Sequence, residues 1–240
     1  MTPILIGIIF CCGFFVESII GFGGTLVAFS ILGFFVDIKQ LILMAIYIAM
    51  VSSIFVVASD YKAFSKQIFL KSFPFCLVGT FIGAVFFIYN SSQVILFVFG
   101  LFLLFLAAKT MFFDNIKLPK HLSNFVLTIG GISQGLFGIG GPFFAIALKG
   151  NSQNNFKNKS EMRATLAMFF ITFNIIRIGQ FWIQDTLTFD LFFNFWWVAA
   201  PLAIAIHLGH LVHKKISESA FKKIVAILAT FSGVEFLFKK

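Results

Sequence analysis

The feature that most constrains this chain is a succession of apolar runs, each about as long as a bilayer is thick. They occupy roughly residues 3–36, 41–59, 68–89, 93–113, 123–148, 164–184, 191–213 and 221–238. At 1.5 Å of rise per residue, about 20 apolar residues cross a hydrocarbon core of ~30 Å. Only 11% of the residues are charged, against about 25% in an ordinary soluble domain. The expected class is an all-α polytopic membrane protein, with one transmembrane domain over 1–240.

The net charge of +9 does not point to nucleic acid. The basic residues sit in short connections between apolar runs, among them Lys62, Lys66 and Lys71, which is how topology is specified. Cys11, Cys12 and Cys76 lie in apolar stretches without metal-ligand spacing, so neither a metal nor another cofactor is expected. The start, MTPILIGIIF, lacks a basic n-region and reads as part of the mature protein.

Two of the runs are odd. The first would be roughly 50 Å long as one helix, more than a crossing needs. It contains VESIIGFGGTLVAF, Val16 to Phe29, and the fifth contains ISQGLFGIGGPFFAI, Ile132 to Ile146. Aligning GFGG with GIGG pairs Gly13 with Gly130, Glu17 with Gln134 and Thr25 with Pro142. A second match in the same order, Gly79–Gly83 on Ala205–Gly209, points to duplication.

Charge bias sharpens this into a topology. If every run crosses once, nine Lys/Arg face one side and eight the other. If the first and fifth runs enter and return on one side, the count is fourteen to three, with Arg177 inside a span. The second arrangement is adopted, with basic loops in the cytoplasm and both termini periplasmic. Each half then crosses an odd number of times. The expected architecture is two inverted repeats, about 3–113 and 123–238, each a glycine-broken hairpin or half-helix pair plus three spanning helices.

Proline suits a helix's first turn, and threonine can cap a helix start. A new helix is therefore expected just after each phrase. Its first N–H groups and its positive dipole end, approached through glycines without Cβ, would suit an anion. Gly21, Gly23, Gly24 and Thr25, with Gly138, Gly140 and Gly141, are the candidate backbone site.

Side chains at membrane depth add further candidates. Glu17 reads either as a proton carrier or as a protonated acid bonded to backbone at the break. Gln134 reads as its neutral counterpart. Arg177, with Asn174 one turn before it, would hold an oxyanion bidentately or pair with Glu17 across the halves. Arg163 is expected to snorkel to headgroups. His207 and His210 read as proton shuttles or as helix–helix hydrogen-bonding groups. Ser52, Ser53, Thr80, Thr165 and Thr172 would line a cavity or bond back to their own helices.

The duplicated GxGG phrases, the second followed by Pro142, resemble those of the TauE/SafE sulfite-exporter family. So do MRATLAMFFITFNIIRIGQF, Met162 to Phe181, and the closing HLGHLVHKKISESAFKKIVAILATFSGVEFL. The resemblance covers nearly the whole chain. It implies export of sulfite, sulfoacetate, thiosulfate or a related organosulfur anion across the bacterial inner membrane. Thr25 and Leu26 stand where family members often have a longer glycine run and a proline, so the anion class stays broad. The expected function is a secondary transporter, coupled to the proton gradient, with lipid and a small anion as partners and homo-oligomerisation open. The rivals are an intramembrane enzyme, for which no paired nucleophile and base is found, and a non-transporting membrane subunit.

Overall fold

The computed structural model describes residues 2–20, 23–112, 119–149, 156, 159–186, 193, 195–212 and 218–239. Ten α-helices lie among them: α1 (Pro3–Ile20), α2 (Gly24–Leu32), α3 (Ile38–Asp60), α4 (Lys66–Tyr89), α5 (Ser92–Phe112), α6 (Lys120–Phe137), α7 (Gly141–Lys149), α8 (Lys159–Ile183), α9 (Ala199–Val212) and α10 (Glu218–Phe238). Single 3-10 turns, Tyr61–Ala63 and Trp196–Val198, follow α3 and precede α9. Four helices, within Ile38–Ala63, Lys66–Tyr89, Ser92–Met111 and Ser160–Ile183, are long and apolar enough to cross a membrane.

The outer surface is apolar, with Phe35, Phe81, Ile183, Phe231 and Phe238 exposed, while Gln134, Asn174 and Arg177 are buried. An apolar exterior over an interior that also holds polar side chains matches a lipid solvent, in which polar groups turn inward.

Both odd runs are broken as expected. Helices α1 and α6 have 18 residues each, and α2 and α7 have 9 each. After α6, Gly138 adopts φ 75, and its N–H and that of Ile139 bond back to Gln134 and Ser133 carbonyls. The Gly138 bond is that of an αL helix ending, which favours a residue without Cβ. The chain then doubles back along α6. The Ser133 hydroxyl holds the Ile139 carbonyl at 2.9 Å, and the Ser123 hydroxyl holds that of Ala147 at 2.8 Å. In the first half Gly24 returns to lie backbone against backbone on Gly13. Both broken segments are helical hairpins.

The halves interlock. Helix α6 packs on α4, and α1 packs on α9; α3 packs on α8, and α5 on α10. Exchanging the first five helices for the last five maps these pairs onto themselves. The α4–α6 seam is made of bare backbone: Gly79 and Gly83 lie against the Thr128 and Ile132 carbonyls, and Gly131 and Gly135 against those of Cys76 and Thr80. Without water to drive apolar association, such close approach is what holds membrane helices together.

Contacts at the two ends fix which connections lie together. At one end Asp60 accepts from the Ser160 hydroxyl at 2.8 Å, and Ser65 N–H donates to Thr165 Oγ1 at 3.2 Å. At the other, the Lys239 ammonium donates to the Gly33 and Phe34 carbonyls at 2.8 and 3.0 Å, and Lys39 to that of Ile88 at 3.5 Å. The basic 60–66 segment and the start of α8 thus share an end, as the charge argument requires.

Candidate functional site

The two helix breaks meet. Glu17, Gly23 and Thr25 from the first half face Gly138, Gly141, Pro142 and Asn174 from the second across one cavity, with Ser53 of α3 between them. Its interior is about 20 Å³, roughly the space of one water. A second space of about 10 Å³ lies toward the basic end, lined by Glu17, Ser52, Ser53 and Arg163. Glu17 and Ser53 belong to both.

Each break is fastened by the polar residue that precedes it. Gly24 N–H donates to Glu17 Oε2 at 2.8 Å, and Gly140 N–H donates to Gln134 Oε1 at 2.9 Å. These side chains satisfy one of the orphan donors that a helix start leaves in an environment without water. The expectation of wholly bare amides is corrected to this extent. At the α7 start, the Gly141 and Phe143 amides have no acceptor among the described residues. Of the two readings for Glu17, the bond to backbone is present.

Gln134 connects the second break to α8. Its Nε2 donates to Asn174 Oδ1 at 3.5 Å, and the same oxygen accepts from Arg177 Nη1 at 3.3 Å. Arg177 is 1% exposed, and its Nε and Nη2 have no hydrogen-bond partner among the described residues. Its guanidinium lies over the Phe181 ring at 5.4 Å. The group bonds Asn174 rather than Glu17, so the cross-half pair is not formed. A Cβ at Gly138 would stand 3.0 Å from Arg177 Nη1. Glycine at 138 therefore serves twice, by adopting positive φ and by letting the guanidinium reach the break.

One expectation fails. Arg163 does not snorkel outward: its side chain is 11% exposed, lies 3.9 Å from Asp60 Oδ2 and lines the space beneath Glu17. The reason is Asp60, which offers a buried counter-charge from the end of α3. His207 is exposed on α9, and its neighbour Ile206 faces the cavity instead. Gly21 and the His210 side chain lie outside the described residues. Among the hydroxyls, Ser52 and Ser53 line the cavities, while Thr80 and Thr172 bond back to the Cys76 and Met168 carbonyls at 2.8 Å each. Thr165 accepts the Ser65 amide.

Two helix starts turned inward on one internal space, within an apolar exterior, mark a multi-pass membrane protein. The chain belongs to the TauE/SafE family: the model described as "Sulfite exporter TauE/SafE" matches residues 5–236. This is a family of anion exporters rather than enzymes. No curated protein and no solved structure matches the chain.

Proposed function

We propose that the protein is a secondary transporter that exports a small sulfur-containing anion across the bacterial inner membrane, with Glu17 carrying a proton. Sulfite, thiosulfate and organosulfonates such as sulfoacetate are the candidate cargoes. The halves 3–113 and 123–238 are copies inserted in opposite senses, with the basic connections in the cytoplasm and both termini in the periplasm.

One observation carries this reading: both glycine phrases line a single cavity, and a buried guanidinium with two unpartnered donors lies against the second phrase. A buried cation with unused hydrogen-bonding capacity is costly unless something negative visits it. Arg177 supplies the charge, and Asn174 and Gln134 hold it in place. The Gly138–Gly141 segment lets an oxyanion come close to backbone amides. Gly23 and Thr25, with Glu17, form the facing wall. The cavity, with room for about one water, represents an occluded state. Carriage requires the interlocked halves to rock apart, first toward one leaflet and then the other.

Purified protein in proteoliposomes loaded with sulfite, thiosulfate or sulfoacetate should catalyse counterflow of the labelled anion. The absence of counterflow with all three would overturn the proposal.

A further inference from the structure

At the matched positions before the two breaks, the halves share a fastening bond and differ in whether the side chain titrates. Glu17 and Gln134 accept the same kind of bond, from Gly24 N–H at 2.8 Å and from Gly140 N–H at 2.9 Å. An amide completes this fastening as well as a carboxylate does, as Gln134 demonstrates. The carboxylate is therefore not needed to hold the hairpin. What it adds is charge, in a wall common to both internal spaces.

The surroundings of Glu17 give that charge few ways to persist beside an anion. Helix α2 presents the Gly24 amide and Thr25, α3 presents Ser52 and Ser53, α9 presents Ile206, and α8 presents Arg163. Among the described residues in these walls, Arg163 is the one other ionisable group, and its single charge is shared between Asp60, at 3.9 Å, and the space beneath Glu17. His207 points away, on the exposed face of α9. A cargo in a cavity walled by both Glu17 and Asn174 lies within a few ångströms of the carboxylate. Two negative charges so close, shielded from water, do not both stay ionised.

Building on the transport reading above, we infer that Glu17 takes up a proton for the cargo anion to bind, so that anion and proton occupy the protein together and cross together. The proton comes from cytoplasmic water, sits on the Glu17 carboxyl, and leaves with the cargo on the far side. A monoanion carried with one proton moves no net charge. Export is then indifferent to the membrane potential and runs down the combined concentration gradient of cargo and proton, and proton-for-anion exchange is excluded.

The test is thiosulfate binding to the whole protein in nanodiscs, from mildly acidic to mildly alkaline pH, because thiosulfate stays fully ionised throughout. The apparent Kd of the natural protein should rise about tenfold per pH unit above the Glu17 titration, and binding should take up about one proton per anion from a weakly buffered solution. The Glu17→Gln variant should bind with an affinity independent of pH and without proton uptake. A flat profile in the natural protein, binding without proton uptake, or an unchanged slope in Glu17→Gln would overturn the inference and leave transport standing. Should the variant fail to fold, proton uptake by the natural protein decides alone. Failure of thiosulfate, sulfite and sulfoacetate all to bind would overturn the transport reading with it.

Discussion

Arg177 separates structural from functional roles at the scale of one residue. A buried guanidinium with two unpartnered nitrogens stabilises a fold poorly, and replacing such a group with an apolar side chain of similar volume is often neutral or stabilising. Arg177→Met should therefore leave the melting temperature unchanged or raised. Loss of a charge-assisted bond to the cargo, about 1.5–3 kcal/mol, should weaken anion binding by roughly tenfold to a hundredfold. Thermal melts and counterflow measured together decide the matter, and a destabilised variant with normal transport would assign Arg177 to the fold. Gly138→Ala tests the same corner from the backbone side. Its positive φ costs a residue with a Cβ about 1–2 kcal/mol, and the new methyl would meet the guanidinium 3.0 Å away. Loss of transport is expected with a modest fall in melting temperature. Arg163 marks the limit of reading single residues from sequence. Whether a basic side chain near a helix end reaches water or turns inward was decided by Asp60, a hundred residues earlier and on another helix.

At the scale of helices, the glycine seam between α4 and α6 is the point of greatest sensitivity. A side chain at Gly79 or Gly83 would run into the Thr128 or Ile132 carbonyl, whereas Gly179 of α8 has nothing within 4 Å of a new Cβ. Gly83→Leu should prevent correct assembly, seen as loss of a monodisperse peak in detergent. Gly179→Ala should behave as the natural protein does, gaining a few tenths of a kcal/mol at most from helix propensity. The breaks themselves were legible in the sequence, because glycine and proline act on their own backbone and need no partner to be interpreted. The facing of α9 was not. In a helix apolar on nearly every side, periodicity carries little information about which face turns outward, and His207 lies on the exposed one.

For the whole molecule, the arrangement of ends gives a direct experiment. In a cysteine-free background, Lys62→Cys should resist an impermeant maleimide added outside intact cells, while Ser91→Cys should react with it. Both positions are exposed and they lie at opposite ends of the α4 helix. Reaction of both from the same side would contradict the topology. The overall plan of apolar runs, two of them broken, was readable because lipid imposes helix length on the sequence directly and glycine breaks a helix without help from a partner. The convergence of the two breaks on one cavity is a long-range fact, and the duplicated phrase was its one local trace.

The interlocked packing also bears on how the protein is made. Helix α1 finds its main partner outside its own hairpin in α9, nearly the whole chain later. At translation speeds of about 5–20 residues per second, the first hairpin waits on the order of ten seconds or longer in the membrane before α9 is synthesised. During that interval the bond from Gly24 to Glu17 is satisfied from within the hairpin. It equips the newborn segment to keep a polar kink in lipid until the second half arrives to cover it.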